Sequence, residues 1–164
     1  MRRNGIARKK IKKFIRNLII ERIKSNWQKT MNYWLIKSEP SVYPYEQLAK
    51  DKKTAWTGVR SYAARLHLRA MKVGDLCFYY HSNEGLAIVG IAKIVKEAYL
   101  DPTSEDDKWV AVDVAAHQQF KKPIELSFIK AHKILKNMKL VQISRLSVSP
   151  VTAEEFEMVC KLGA

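Results

Sequence analysis

At 164 residues, with 47% hydrophobic side chains, the chain amounts to one globular domain with a real core plus an appendage. Its net charge of +14 is uneven: residues 1–30 hold eleven Lys/Arg and one Glu, which leaves 19 basic and 15 acidic residues for the remainder. Two distant cysteines without a C-x-x-C motif or secretory signal, four histidines without an i, i+3 or i+4 pair, and no run of about 20 apolar residues argue against a disulfide framework, a zinc site and a membrane span. A reducing cytoplasm, no cofactor, no metal and no obligate protein partner are therefore expected.

Residues 1–30 form a basic amphipathic pattern. Ile11, Phe14, Ile15, Leu18, Ile19, Ile23 and Trp27 alternate with Lys9, Lys10, Lys12, Lys13, Arg16, Arg22 and Lys24. A nucleic-acid arm, a membrane-surface helix and an artefact of gene-start choice all account for it, a mitochondrial presequence less well because Ser is scarce. The abrupt start of a compact pattern at Asn32-Tyr33-Trp34 favours Met31 as initiator and a domain over 31–164.

Tyr33 to Lys37 reads as a strand stopped at Ser38-Glu39-Pro40, and Ser41 to Leu48 as one helical turn with Pro44 at its first position. Ser61 is an N-cap for a helix to about Met71, ended by Gly74. Strands follow at Leu76–His81 and Leu86–Tyr99, the latter bent or bulged at Gly90, and then at Trp109–Val114. A helix from Phe128 to Leu135 is expected behind a Ser127 cap. A last strand, Arg145 to Val148, leads past Pro150 into a Thr152/Glu155 capping box and a terminal helix ended by Gly163. Five or six short strands with helices at the seams predict an α+β domain whose curved sheet closes into a small barrel.

Trp56 to Arg65 is the most informative stretch. It sets an aromatic face, a glycine corner, cations and a helix start side by side. That combination suits a planar anionic ligand such as a nucleotide, the base stacking on Trp56 and the phosphate meeting Arg60, Arg65 and the helix N–H groups. Tyr33 to Pro40 and Phe78 to Ser82 are also richer in aromatic and polar groups than a core requires. Trp34 and Trp109 read as core because they lie in strands, whereas Trp56 reads as a loop residue facing a pocket. Ordinary partners for Arg60 and Arg65 are solvent, Glu39 or Asp75, and Arg69 reads as a surface charge.

The runs Tyr33-Trp34-Leu35-Ile36-Lys37-Ser38-Glu39-Pro40, Trp56-x-Gly58-Val59-Arg60-x-Tyr62-x-Ala64-Arg65, Phe78-Tyr79-Tyr80-His81-Ser82, Asp101-Pro102 and Arg145-Leu146-Ser147-Val148-x-Pro150-Val151 together resemble the EVE domain family, over residues 32–162 and in the family's order. The resemblance implies a PUA-like pseudo-barrel, related to readers of methylated adenine, that binds a modified base of DNA or RNA. By motif position Ser38, Trp56, Gly58, Val59, Arg60, Tyr79, His81 and Ser82 line the base pocket. Arg60, Arg65, Lys37 and Arg145 are then candidates for phosphate and backbone. Three positions depart from the family pattern: Ser61 and His67 stand where asparagine is common, and Ala63 where glutamine is.

Extruding a paired base costs a few kcal/mol and one stacking contact returns about 1–3 kcal/mol, so Trp56 alone barely breaks even. A methyl group adds about 0.8 kcal/mol, roughly fourfold, so discrimination rests on hydrogen bonds from groups such as the Ser38 and Ser82 hydroxyls. The expectation is a non-catalytic reader whose partner is a nucleic acid or nucleoside carrying a modified base. Two alternatives remain: a small hydrolase of modified nucleosides using Lys37, Glu39 and His81, and a general nucleic-acid binder driven by residues 1–30.

Overall fold

The computed structural model describes residues 11–20 and 31–164, which fall in two compact units, Met1–Met31 and Asn32–Ala164. In the first unit residues 11–20 form helix α1, and Ile11, Phe14, Ile15, Leu18 and Ile19 are exposed at the spacing of one helical face. Lys9, Lys10, Arg22, Ile23, Lys24 and Trp27 of the amphipathic pattern lie outside the described residues.

The second unit runs β1 (Tyr33–Ser38), α2 (Tyr45–Asp51), β2 (Lys53–Trp56), α3 (Tyr62–Ala70), β3 (Leu76–His81), β4 (Ala87–Leu100) and β5 (Val110–Glu125). It continues through α4 (Leu126–Ala131), a 3-10 turn at Leu135–Asn137, α5 (Lys139–Gln142), β6 (Val148–Val151) and α6 (Ala153–Gly163). One mixed sheet of order β2-β5-β4-β3-β1-β6 results, parallel between β1 and β3 and antiparallel elsewhere. The ladder ends at β2 and β6, so strand pairing does not close the expected barrel.

The sheet nevertheless curls. Flat, β2 and β3 would stand three strand spacings apart, about 14 Å, yet the rings of Trp56 in β2 and Tyr79 in β3 have centroids 5.5 Å apart. The bend comes from β4 and β5, which are 14 and 16 residues long and slip register at Ile88/Gly90, Ile91/Ala92, Ile94/Lys96 and Lys96/Tyr99. Each extra residue kinks its strand and increases the local twist.

Both faces are covered, which is why β1 and β3 read as nearly continuous apolar runs. Within the curl, Trp34, Ile36, Trp56, Tyr79 and Val112 pack on Tyr45 and Leu48 of α2 and Ala64 and Leu68 of α3. On the outside, Leu35, Phe78, Tyr80 and Phe120 pack on Ile129, Leu135, Leu140, Phe156 and Val159. Trp34 is core, as expected, and its indole N–H donates to Asp75 Oδ2 over 2.9 Å.

The caps expected at α3 and α6 are present: Ser61 accepts from Ala64 N, and Thr152 and Glu155 form the reciprocal box. Four expectations are corrected. The helix expected over Phe128 to Leu135 is α4, Leu126–Ala131, with Ser127 inside it, Glu125 as its N-cap and a separate 3-10 turn at Leu135–Asn137. The last strand is Val148–Val151 rather than Arg145–Val148, and it tolerates Pro150 because β6 is an edge. Trp56 ends strand β2 instead of sitting in a loop. Trp109 precedes β5 and is half-buried among cations rather than core.

Candidate functional site

An aromatic stack builds one wall of the site. A Cβ on Gly90 would stand 2.7 Å from Gln118 O and 2.9 Å from the Tyr45 ring, so glycine here lets Tyr45 lie against the sheet. The Tyr45 hydroxyl donates to Ile91 O over 2.8 Å, and its ring meets Tyr79 edge-on at 5.3 Å. Tyr79 in turn meets Trp56 edge-on, and its hydroxyl donates to Tyr43 O over 2.7 Å. Burial pushes the Tyr79 phenol well above its ordinary range, so it is a neutral donor.

A buried carboxylate fixes the turn after Trp56. Gly58 has a φ of +78°, a conformation that favours glycine, and its N–H donates to Asp101 Oδ2 over 2.8 Å. Arg60 Nη1 reaches the same oxygen at 2.7 Å, while Thr103 N and Oγ1 donate to Asp101 Oδ1 at 2.8 and 2.6 Å. Burial alone would raise the Asp101 pKa, but these four donors hold the carboxyl well below the usual carboxylate range. The local sequence does not reveal this role, because Gly58 and Arg60 lie 43 and 41 residues away.

These walls bound a cleft of about 750 Å³, within the roughly 300–1,000 Å³ typical of small-molecule sites. It opens where the curl brings Thr54, Ala55 and Trp56 of β2 opposite Lys37 and Ser38 of β1 and Ser147 before β6. Of the expected site residues, Ser38, Trp56, Gly58, Val59, Arg60, Ser82, Lys37 and Arg145 line it. Tyr79, His81 and Arg65 do not. Tyr79 backs Trp56, and His81 Nε2 accepts the Tyr45 N–H over 3.2 Å, with burial lowering its pKa against the opposing pull of Glu46. Sequence reasoning missed Tyr43, Thr54, Ala55 and Ser147, which reach the cleft through pairing and turns distant in the chain.

The cations divide by their partners. Arg60 is matched by Asp101. Arg65 sits at the far side of α3, donating to Lys108 O, with its guanidinium 4.9 Å from the Tyr62 ring centroid and 5.7 Å from that of Trp109. Lys37 donates from Nζ to Ser144 O over 2.7 Å, and burial lowers its pKa. Neither Lys37 nor Arg145 makes an ion pair among the described residues, and with the Glu39 carboxylate also lining the cleft these two leave it a net positive charge. The Ser38 hydroxyl donates to Tyr43 O over 2.8 Å and keeps its lone pairs, and the Ser82 hydroxyl has no partner among the described residues. Within those residues no group of three His, Cys, Asp or Glu is arranged to hold a metal ion, and no helix is long and apolar enough to cross a membrane.

Comparison with known proteins places this geometry. Mouse thymocyte nuclear protein 1 is 42% identical over 85% of this chain and 76% of its own. The NMR structure of a Rhodopseudomonas palustris protein superposes with a TM-score of 0.78 at 52% identity, covering 81% of this chain and 93% of that one. The crystal structure of human THYN1 protein in complex with 5-methylcytosine-containing DNA gives a TM-score of 0.73 at 42% identity over 80% of this chain and 97% of its own. The family model for the EVE domain matches residues 32–162, nearly the whole of the second unit, and the chain belongs to that family.

Proposed function

We propose that residues 31–164 form a non-catalytic reader of a modified nucleobase in nucleic acid, with 5-methylcytosine in DNA as the first ligand to test. The observation that carries the reading is the cleft itself, where Trp56, the Ser38 and Ser82 hydroxyls, the cations Lys37 and Arg145 and the Glu39 carboxylate share one space. A relative of 42% identity solved with 5-methylcytosine-containing DNA supports it. The cleft is then the seam of a PUA-like pseudo-barrel, between the two ends of the curled sheet. The base enters along Trp56 above Gly58 and Val59, with Tyr79 and His81 holding the wall from behind.

The structure alters the expected division of labour. Trp56 is 9% exposed, on the order of 20 Å² of an aromatic side chain's area, so it acts as a wall rather than an open stacking platform. Lone pairs on Ser38 Oγ suit an exocyclic amino group such as that of cytosine, and Ser82 Oγ can donate or accept. Lys37 and Arg145 are the phosphate contacts, Arg60 shapes the turn from its pair with Asp101, and Arg65 supports α3. A hydrolytic reading is weaker because His81 does not line the cleft and its Nε2 accepts the Tyr45 N–H.

The test is a titration of oligonucleotides carrying 5-methylcytosine, cytosine or thymine at one position, and of the free nucleosides, against the protein and its Ser38→Ala/Ser82→Ala variant. Two neutral hydrogen bonds at about 0.5–1.5 kcal/mol each predict a preference for 5-methylcytosine over thymine reduced by at least fivefold, while the ratio to plain cytosine, set by the methyl group alone, stays unchanged. Failure to bind any oligonucleotide or nucleoside, or a preference over thymine that the variant leaves intact, overturns the reading. So does product formation from acylated or alkylated nucleosides that Lys37→Ala abolishes.

A further inference from the structure

Two segments of the second unit, residues 52–74 and 126–153, hold basic side chains and no Asp or Glu, and the second carries charge that the cleft does not use up. Residues 31–164 contain 19 basic and 15 acidic side chains. Residues 126–153 contain five basic ones, Lys130, Lys133, Lys136, Lys139 and Arg145, and no Asp or Glu, which leaves 14 basic against 15 acidic elsewhere in the unit. All five are exposed, and none takes part in an ion pair among the described residues. The segment folds as α4, the 3-10 turn and α5 in immediate succession, with apolar faces turned inward through Ile129, Leu135 and Leu140. Its cationic side chains are thereby left on the outside.

This strip ends at the cleft. Arg145 lines the cleft, and Lys37 is tied to the strip's last turn by its bond to Ser144 O. The turn itself is held by Ile143 N to Lys139 O at 2.9 Å and Leu146 N to Ile143 O at 3.0 Å, which keeps Lys139 close to Arg145. Like charges gathered without counter-ions repel one another and favour a polyanion that covers several at once. Residues 52–74 also hold six basic side chains and no Asp or Glu, but Arg60 and Lys72 there are paired with Asp101 and Glu97, so a nucleic-acid strand whose base occupies the cleft finds successive cations without ion-pair partners along the strip.

We propose that the Lys130–Arg145 strip carries the phosphate backbone of the strand whose base enters the cleft. The proposal rests on the base-reader assignment for the occupant of the cleft, and it assigns affinity and base preference to different residues. Neutralising lysines on the strip weakens binding to modified and plain strands by the same factor and leaves the nucleoside untouched.

The experiment uses the full chain, single-stranded oligonucleotides with one or no 5-methylcytosine, and fluorescence anisotropy across a salt series. Each phosphate contact on a single strand contributes about 0.7 to the slope of log affinity against log salt. Lys133→Gln/Lys136→Gln/Lys139→Gln is expected to reduce that slope by about 2 with the modified-to-plain ratio unchanged. A control of equal charge, Lys93→Gln/Lys121→Gln/Lys122→Gln, alters exposed lysines of β4 and β5. An unchanged slope in the strip variant, or an equal reduction in the control, overturns the proposal. If the strip served an anionic membrane instead, the oligonucleotide slope would hold while binding to phosphatidylserine vesicles fell, which also overturns it. Absence of any modified-base preference with a reduced slope sinks the base-reader assignment and leaves the strip standing.

Discussion

Replacing Asp101 by Asn tests whether the turn that borders the cleft is built by one buried carboxylate. The native side chain accepts two donors on each oxygen: Gly58 N and Arg60 Nη1 on Oδ2, and Thr103 N and Oγ1 on Oδ1. An asparagine keeps one oxygen and turns an NH₂ toward the other pair, so donors meet donors whichever way the amide lies. Two hydrogen bonds to a charged acceptor are worth about 1.5–3 kcal/mol each. The Arg60 share must be discounted because that side chain is 37% exposed and screened. A loss of about 2–4 kcal/mol remains, on the order of 10 °C in Tm for a domain of this size.

Stability alone does not separate a positioning role from a merely structural one, so Asp75→Asn serves as the comparison. Asp75 is also buried and accepts from Asn32 N, Trp34 Nε1 and Lys72 N, none of which lines the cleft. Both variants should melt earlier in calorimetry. At a temperature where both remain folded, only Asp101→Asn should weaken binding of a 5-methylcytosine oligonucleotide, by about tenfold. Equal melting losses with equal retention of affinity would refute the reasoning. The pH dependence has a definite sign: the folded carboxyl lies below the unfolded value near 4, so its contribution is complete above pH 4 and is lost as pH falls. The gap between wild type and Asp101→Asn should narrow by about 1.4 kcal/mol per pH unit below that point.

Gly90→Ala should destabilise by about 1–3 kcal/mol, because its new methyl meets the Gln118 carbonyl and the Tyr45 ring; a wild-type urea midpoint would show that the close approach is relaxed at no cost. Trp56→Phe should keep the fold and lower affinity for modified and plain strands by a similar factor, since the wall touches the ring of either base; titration of both strands checks this, and a selective loss for one contradicts it. His81 accepts an N–H, and burial lowers its pKa, so the unfolded chain binds protons first and stability falls as pH drops below about 6.5. Thermal melts of wild type and His81→Gln between pH 7.5 and 5.5 should converge, and parallel curves contradict the bond.

Legibility in the sequence follows the range of the forces involved. β1, β3, the Ser61 cap and the Thr152/Glu155 box were readable because alternation and capping act within a few residues. β2 was not: Lys-Thr-Ala-Trp is short and half polar, and it becomes a strand through pairing with Val112–Ala115 some sixty residues later. Trp109 misled for the opposite reason. The alternation of Val110 to Val114 extends back to it, but its ring lies beyond the strand, under Lys108 and beside Arg65 and Tyr62. In the cleft, residues from contiguous motifs are legible, whereas Thr54 and Ala55 enter only through the pairing of β2 with β5, and Ser147, though within a motif, reaches the cleft by its backbone bond to Lys37. Arg60 was anticipated as a ligand contact because its partner, Asp101, is distant in the chain and invisible to local pattern.

These placements bear on how an EVE domain could be selective at all. Burying one methyl gives about 0.8 kcal/mol, a fourfold preference, and the near-complete burial of Trp56 leaves little further area for stacking to contribute. Phosphate contacts cannot make up the difference, because they are the same on modified and plain strands and cancel in the ratio. Discrimination beyond fourfold is then discrimination against a different base edge, through polar groups that a wrong base leaves unpaired, and Ser38 and Ser82 are among the hydroxyls that line this cleft. Affinity and selectivity therefore respond to different variables. Raising the salt concentration should lower the affinity for strands carrying 5-methylcytosine, cytosine or thymine while leaving their ratios constant, whereas removing the serine hydroxyls should collapse the preference over thymine at every salt concentration.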